Sequence, residues 1–392
     1  MSLSRRSFVR TLGLGGTGAM AASMIGGRAH AEPSIPAGET APTVAQAMNR
    51  RYDAGFINLS SNTSPRGPGD AVLEALRSRI GPGLGRYPEN VGMLRDAIAA
   101  RLGVESENVL LSTGSGGELS GAVRAYVTPD RPLVIGAPSY ETPEQTCRSL
   151  GLPVRSIPVD ASQRLDLDAM ASAGRGAGLV YLCNPNNPTA MAHSAAAIED
   201  LVRRVKTASP STAILVDEAY LEFAKDPSVG TAQPLALEYP GVFVLRTFSK
   251  VYALAALRIG YAVGLPATLE TLDAAWGYGS ITSMSAAAAI AALGDTERVR
   301  WEIAENHRVR EFTLQAMRDM GVDVTDSQNN FVWANVGRTS KVFREQCLER
   351  GVLVGRDFAP MQDSHSRISL GSMDEMRRAV AVFTQVLAGS SA

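Results

Sequence analysis

Cysteine and histidine are scarce in this chain. Its 392 residues include three cysteines, Cys147, Cys183 and Cys347, and four histidines, His30, His193, His307 and His365. None of them stands at a metal-ligand spacing, so no structural metal is expected, and an odd, scattered cysteine count excludes a complete disulfide framework. Cys183, inside an apolar run, reads as a small buried hydrophobe. An excess of charge of either sign is also missing. Lys and Arg total 38 against 39 Asp and Glu, for a net charge of −1, and no basic patch points to nucleic acid. After Ile25 no apolar run approaches the roughly 20 residues that span a bilayer. Internal repeats are lacking too. What remains is the composition of a soluble enzyme: 45% hydrophobic residues, enough for a large core and two domains.

From Val109 to about Gly264 apolar runs alternate with helical stretches, the pattern of an α/β fold with a mostly parallel sheet covered on both faces. Val109-Leu110-Leu111, Pro132 to Ile135, Gly178 to Tyr181, Ala213 to Val216, Val242 to Leu245 and Ile259 to Gly264 read as strands. Helices are expected near Arg298 to Met320, Thr339 to Arg350 and Met373 to Leu387, with short strands at Asn330 to Ala334 and Arg367 to Leu370. These make a smaller α+β domain. The expected division is an arm over 32–60, a large domain over 61–270, and an interdomain helix with the small domain over 271–392. The carboxyl ends of the central strands carry Tyr140, Asn187, Asp217 and Lys250, where open parallel sheets place ligands.

Lys250 says most about chemistry. It closes the run Arg246-Thr247-Phe248-Ser249-Lys250 and is followed eight residues on by Arg258. Two hydroxyls and a guanidinium beside an amine suit a phosphate dianion next to a Schiff-base lysine, which is what pyridoxal phosphate requires. Asp217 ends an apolar strand; it either caps the next turn or keeps a pyridinium protonated. Tyr220 and Asn187 are candidates for the cofactor's phenolic oxygen. The turn Ser112-Thr113-Gly114-Ser115-Gly116-Gly117 precedes a helix expected over Glu118 to Val127, whose free N–H groups attract an anion. Gly114, Ser115 and Gly116, with Thr247, Ser249 and Arg258, are therefore candidate phosphate ligands. On the residues alone Arg367, in a short strand, reads as a solvated edge residue.

The ordered series Asn187-Pro188-Thr189, Asp217-Glu218-Ala219-Tyr220, Ser249-Lys250 and Arg258 resembles the class I and II aminotransferases, pyridoxal-phosphate enzymes of fold type I. Arg86-Tyr87-Pro88, Pro138-Ser139-Tyr140, Asn184-Pro185-Asn186-Asn187-Pro188-Thr189 and Arg367-Ile368-Ser369-Leu370-Gly371 are most similar to the histidinol-phosphate aminotransferase branch. The resemblance runs from about Leu59 to the C-terminus. It implies that Lys250 forms the Schiff base and moves the proton between the substrate Cα and the cofactor. It further implies that Asp217 pairs with the pyridine nitrogen, that Asn187 and Tyr220 hold the phenolic oxygen, and that Tyr140 stacks on the ring. Tyr87 would reach the phosphate of a partner subunit, which implies a homodimer with shared sites. Arg367 and Arg356 would grip the substrate's anion, a carboxylate or a phosphate, with Asn62 beside them. The implied reaction moves an amino group from a small-molecule donor to a 2-oxo acid. Lyase, decarboxylase or amine oxidase chemistry on the same fold is the alternative, because a Schiff base does not fix which bond breaks.

Departures from the family fall on the substrate side. Thr63 stands where the family usually has an acidic residue, Ser64 where some members have an aromatic, Gly116-Gly117 where Asp-Glu is common, and Ala190 where Gly follows the Asn-Pro-Thr run. The N-terminus adds an independent feature. Ser4-Arg5-Arg6-Ser7-Phe8-Val9-Arg10, an apolar Gly-rich run from Leu12 to Ile25, and Ala29-His30-Ala31 have the three-part layout of a twin-arginine export signal over 1–31. Cleavage after Ala31 and a periplasmic location follow as expectations, with the twin-arginine machinery as a partner. Losing Arg5, Arg6, Arg10 and Arg28 with the leader takes the net charge from −1 to −5. Because histidine synthesis is cytosolic, an exported relative is expected to serve another pathway.

Overall fold

Strands that are apolar on both faces have no polar face to show to water, so they are stable only when both faces are covered. In the computed structural model, which describes residues 57–88, 91–276 and 281–388, two such strands, β5 (Leu179–Cys183) and β6 (Ala213–Asp217), are buried along their whole length. They lie at the centre of a seven-stranded sheet with β2 (Val109–Ser112), β3 (Leu133–Ala137), β4 (Val154–Pro158), β7 (Val242–Thr247) and β8 (Gly260–Gly264) in the order β2-β8-β7-β6-β5-β3-β4. Successive side chains go to opposite faces. Val180 and Leu182 pack with Leu201 and Val205 of helix Ala195–Ala208. Leu179 and Tyr181 pack on the other face with Leu119 and Val123 of helix Ser115–Tyr126.

The strands from β3 to β7 are parallel, but β8 runs antiparallel to both β2 and β7. The sheet is therefore mostly parallel, as expected. A fully buried strand presents the same apolar run in either direction, which is why its sequence reads alike. The chain turns outward from β3 to β4 and resumes at β5 on the other side of β3, so the sheet reverses its winding between β3 and β5. Such a reversal opens a crevice at the carboxyl ends of the strands.

A second core is built around β9 (Asp323–Val324), β10 (Phe331–Asn335), β11 (Val352–Val354) and β12 (His365–Ser369). β12, β10 and β9 form an antiparallel sheet. The strand β1 (Ile57–Leu59) pairs in parallel with β11, Asn58 opposite Leu353, so the described end of the expected arm is stitched to this second core. Helix Thr296–Asp319 starts on Asp295, whose carboxylate accepts from the N–H of Arg298, and helix Ser340–Leu348 starts on Thr339 in the same way. The twin-arginine segment, Ala31 and the rest of the arm up to residue 56 lie outside the described residues.

Beneath the crevice, the ends of β6 and β7 are joined by a buried ion pair. Arg246 donates through Nε at 3.0 Å and Nη2 at 2.8 Å to the same oxygen of Glu218. Glu218 also accepts from the Thr231 hydroxyl at 2.9 Å and the Ala232 N–H at 2.6 Å. Removing one partner of such a pair strands a buried charge. Arg246→Gln is therefore expected to lose about 3 kcal/mol or more of stability, read as a lower thermal midpoint; a midpoint within a degree of wild type would show that the pair carries no such weight.

Candidate functional site

The crevice is a cavity of about 600 Å³. Into it the sheet delivers Tyr140 from the turn after β3, Asn187 after β5, Asp217 at the end of β6 and Lys250 after β7. Asp217 is buried; its Oδ2 accepts from the Tyr181 hydroxyl at 3.0 Å and its Oδ1 from the N–H of Ala219 at 3.1 Å. Burial pushes its carboxyl up to about 6, while those two hydrogen bonds and the Lys250 charge pull the other way. Burial lowers the Lys250 amine to about 7, helped by the cationic Arg367 and Arg258 and opposed by Asp217. The shift favours the neutral amine, the form that a nucleophile requires. Its Nζ donates to the Asn62 carbonyl at 3.2 Å and stands 5.4 Å from the centre of the Tyr220 ring.

The Tyr220 hydroxyl accepts from Asn62 Nδ2 at 3.1 Å and Asn187 Nδ2 at 3.4 Å, while Asn187 Oδ1 accepts from Arg367 at 2.9 Å. Asn62 is held in turn by Ser369, which receives its N–H at 2.8 Å and donates to its Oδ1 at 2.7 Å. Asn62 and Arg258 both adopt left-handed backbone, φ 54° and 52°, a strain of the kind found at ligand sites.

At the other end Ser115, Gly116, Thr247, Ser249 and Arg258 line the wall. The helix that carries the Gly-rich turn starts at Ser115 rather than Glu118. Gly116 and Gly117 have low helix propensity, but the turn is held by close packing. A side chain on Gly114, at φ 85°, would meet the Arg258 guanidinium at 2.4 Å, and one on Gly260 would meet the N–H of Ser115 at 2.7 Å. No side chain caps this helix, and its first two residues, Ser115 and Gly116, line the cavity beside two hydroxyls and a guanidinium, a cradle for a phosphate dianion. The residues present thus fit pyridoxal phosphate: a cradle for its phosphate, Asp217 for its ring nitrogen, Asn187 and Tyr220 for its phenolic oxygen, Tyr140 for its face and Lys250 for its carbonyl carbon.

Arg367 is not a solvated edge residue. It is 6% exposed, donates from Nη1 to Asn187 and from Nη2 to the Ser60 carbonyl at 2.6 Å, and its buried Nε has no partner. Arg356 lines the mouth, stacked 4.2 Å over Phe358 and ion-paired with Glu141. Tyr87 lies outside the cavity and is 96% exposed. Among the described residues no cluster of metal-ligating side chains occurs.

Several site residues were not singled out by sequence. Arg344 also lines the cavity and pairs with Asp357 at 2.6 Å. Tyr181 carries a signal in retrospect, since a tyrosine in a fully apolar strand needs a partner for its hydroxyl. Glu118 carries none. It is wholly buried near Asp217 and neither of its carboxyl oxygens has a partner. Burial pushes it well above the usual carboxylate range; the nearby Ser112 hydroxyl acts against this and Asp217 adds to it.

Comparison with known proteins agrees with this geometry. The model of the family "Aminotransferase class I and II" matches residues 54–383. A histidinol-phosphate aminotransferase of Symbiobacterium thermophilum is 32% identical, over 85% of this chain and 91% of that protein. An aromatic amino acid aminotransferase of Mycobacteroides abscessus is 33% identical, over 81% and 89%. The crystal structure of histidinol-phosphate aminotransferase from Sinorhizobium meliloti in complex with pyridoxal-5'-phosphate superposes with a TM-score of 0.77 at 28% identity, over 88% of this chain and 94% of that one. These relatives favour amino-group transfer over lyase, decarboxylase or oxidase chemistry.

Two outcomes follow from the charges. Covalent capture of pyridoxal phosphate by the apoprotein, followed by absorbance after mixing, is expected to rise with pH and level off above about 7, where the Lys250 amine is neutral; a rise continuing to about pH 10, the range of an ordinary lysine, would contradict the burial argument. Glu118 has a folded pKa above its unfolded value, so its contribution to stability is complete below the unfolded value of about 4.3 and is lost as pH rises toward the folded one. Glu118→Gln does not titrate, and its thermal midpoint is expected to gain on wild type as pH rises above the unfolded value of about 4.3; a gap that stays constant with rising pH would show that Glu118 is ionised when folded.

Proposed function

The chain belongs to the class I and II aminotransferases, enzymes that depend on pyridoxal phosphate, and on that premise we propose that it moves an amino group from an amino-acid or amino-phosphate donor to a 2-oxo acid in an exported, non-histidine pathway. The observation that carries the transfer reading is the convergence of Lys250, Asp217, Asn187 and Tyr220 on one cavity that also holds the fork of Arg367. When bound, the cofactor supplies an electron sink for the donor's Cα. The protein's own part is to orient and to move one proton. Arg367 offers a planar guanidinium to the donor's anion. Lys250, with its lowered pKa, takes the proton from Cα and returns it on the other side of the transfer. Asp217, screened from water by the sheet, keeps negative charge fixed at the floor.

The export part rests on Arg5, Arg6 and the Ala29-His30-Ala31 site, with cleavage after Ala31 and a periplasmic enzyme as the result. The twin-arginine route carries folded proteins, so a cytosolic cofactor can be acquired before export. The non-histidine part rests on export and on positions 63 and 64: Thr63 lines the cavity, whereas Ser64 donates to Glu302 at 3.1 Å beside the Arg66–Glu302 ion pair. The exposed Tyr87 suits a homodimer in which it completes the partner's site. A division near residue 270 into a large cofactor domain and a small domain would let the second core move over the first.

The purified mature protein, mixed anaerobically with single amino donors, is expected to show the absorbance of bound pyridoxal phosphate and to lose it to one donor class with release of a 2-oxo acid. Lys250→Ala is expected to slow that conversion by about 10²- to 10⁴-fold. A cofactor band that no donor alters would count against transfer, and rescue of a histidine auxotroph by a leaderless form at normal expression would count against the separate pathway.

A further inference from the structure

The cations that line the cavity can be sorted by the negative charge each already faces. Arg258 stands at the phosphate cradle against Gly114, and Lys250 faces Asp217. At the substrate end are Arg344, Arg356 and Arg367. Arg344 donates to Asp357 and Arg356 to Glu141, so both outer guanidiniums are compensated by carboxylates. Arg367 has only neutral acceptors, the Asn187 amide oxygen and the Ser60 carbonyl, and its buried Nε is unpartnered. One uncompensated guanidinium at the substrate end matches one negative charge on the substrate.

A dianion changes this balance. A phosphate monoester gripped between Arg356 and Arg367 would lie beside the Glu141 carboxylate, whose second oxygen, Oε2, is itself buried without a partner. Glu141 follows Tyr140 directly and closes the turn before helix Thr142–Leu150, so its backbone is held by the same turn that presents Tyr140. Like charges brought together at a partly desolvated site oppose binding, and the planar guanidinium of Arg356 can serve two anions only by sharing its donors.

We propose that Glu141 is a specificity-determining positioning residue which, by engaging and neutralising Arg356, turns the site away from donors anchored by a dianionic phosphate and toward amino acids anchored through a single α-carboxylate on Arg367. This rests on the aminotransferase reading above and names its donor class.

The test separates binding from turnover. The holoenzyme is titrated calorimetrically at about pH 8, where a phosphate monoester is a dianion, with two unreactive probes, 3-phenylpropionate and 2-phenylethyl phosphate. Wild type is expected to prefer the monoanion, and Glu141→Gln, which keeps the shape and removes the charge, to shift the ratio of affinities toward the phosphate by roughly tenfold. Glu141→Asp is expected to keep the wild-type preference. In donor-induced absorbance changes, the half-saturating concentration of histidinol phosphate is expected to fall in Glu141→Gln without a matching change in limiting rate. An unchanged affinity ratio in Glu141→Gln, or an equal shift in Glu141→Asp, overturns the proposal. If no donor of either kind alters the bound cofactor in wild type, the transfer reading fails, while the calorimetric ratio still decides the role of Glu141.

Discussion

Everything at the floor of the cavity depends on how the ends of two neighbouring parallel strands are held. Asp217 ends β6 and Lys250 follows β7 by three residues, and their chemistry requires a fixed separation. Backbone pairing aligns the strands as far as Asp217 opposite Leu245, with the Glu218 N–H donating to the Leu245 carbonyl at 2.9 Å; there β6 ends, while β7 runs on to Thr247. The Arg246–Glu218 pair continues the alignment with side chains. Glu218 points away from the cavity because successive residues of an extended chain alternate, so Asp217 and Glu218 divide the work: one faces the reaction, the other ties its strand to the strand that carries the lysine. A buried ion pair is a costly way to gain stability, and well-packed apolar residues often do as well. Its value here is geometric, since both guanidinium hydrogen bonds go to one oxygen and leave little freedom.

The same burial that makes this pair expensive sets the protonation of the floor. Desolvation raises Asp217 and lowers Lys250, and each charge partly relieves the other. The site without its cofactor is therefore poised near neutrality, with a carboxyl and an amine that both titrate within reach of pH 7. A bound cationic ring nitrogen beside Asp217 would hold the carboxylate ionised, so the pocket is complete only when filled. Glu118, wholly buried near Asp217, is likewise pushed by burial well above the usual carboxylate range.

Much of this was legible in the sequence, for a physical reason. Strands covered on both faces must be apolar throughout, and chemistry placed at their ends interrupts them with polar residues, so Asn187, Asp217 and Lys250 stand out against their surroundings. The Gly-rich turn, Thr247, Ser249 and Arg258 were readable because an anion site needs small residues and donors near one another. The antiparallel course of β8 was not readable, because a buried run has no polarity along the chain. Nor was the start of the helix at Ser115, where tertiary packing against Gly260 overrides the poor propensity of two glycines. Tyr181, Glu118, Ser369 and the Glu141–Arg356 pair act through contacts between residues distant in the chain, and no local spacing encodes such contacts. Arg367 was visible as an arginine in a short strand, but only its burial distinguishes a clamp from a solvated residue.

The departures from the family pattern also take on meaning once placed. Ala190 adopts left-handed backbone at φ 62°, which explains why glycine is common there and why alanine is tolerated only at some cost. Ser64 is not an idle replacement for an aromatic ring, because it joins a network in which Glu302 also receives Arg66 at 3.0 Å and faces Arg298 at 3.4 Å. That network draws the segment after Asn62 toward helix Thr296–Asp319 and away from the cavity, leaving Thr63 and the Ser60 carbonyl at its edge. The floor thus carries the residues that any donor needs, whereas the rim has small hydroxyls at positions 63 and 64 and a carboxylate at Glu141. Transfer chemistry constrains the floor, so on the proposed reading, in which the donor's far end meets the rim, changes confined to the rim would alter which amine is accepted while leaving the reaction itself intact.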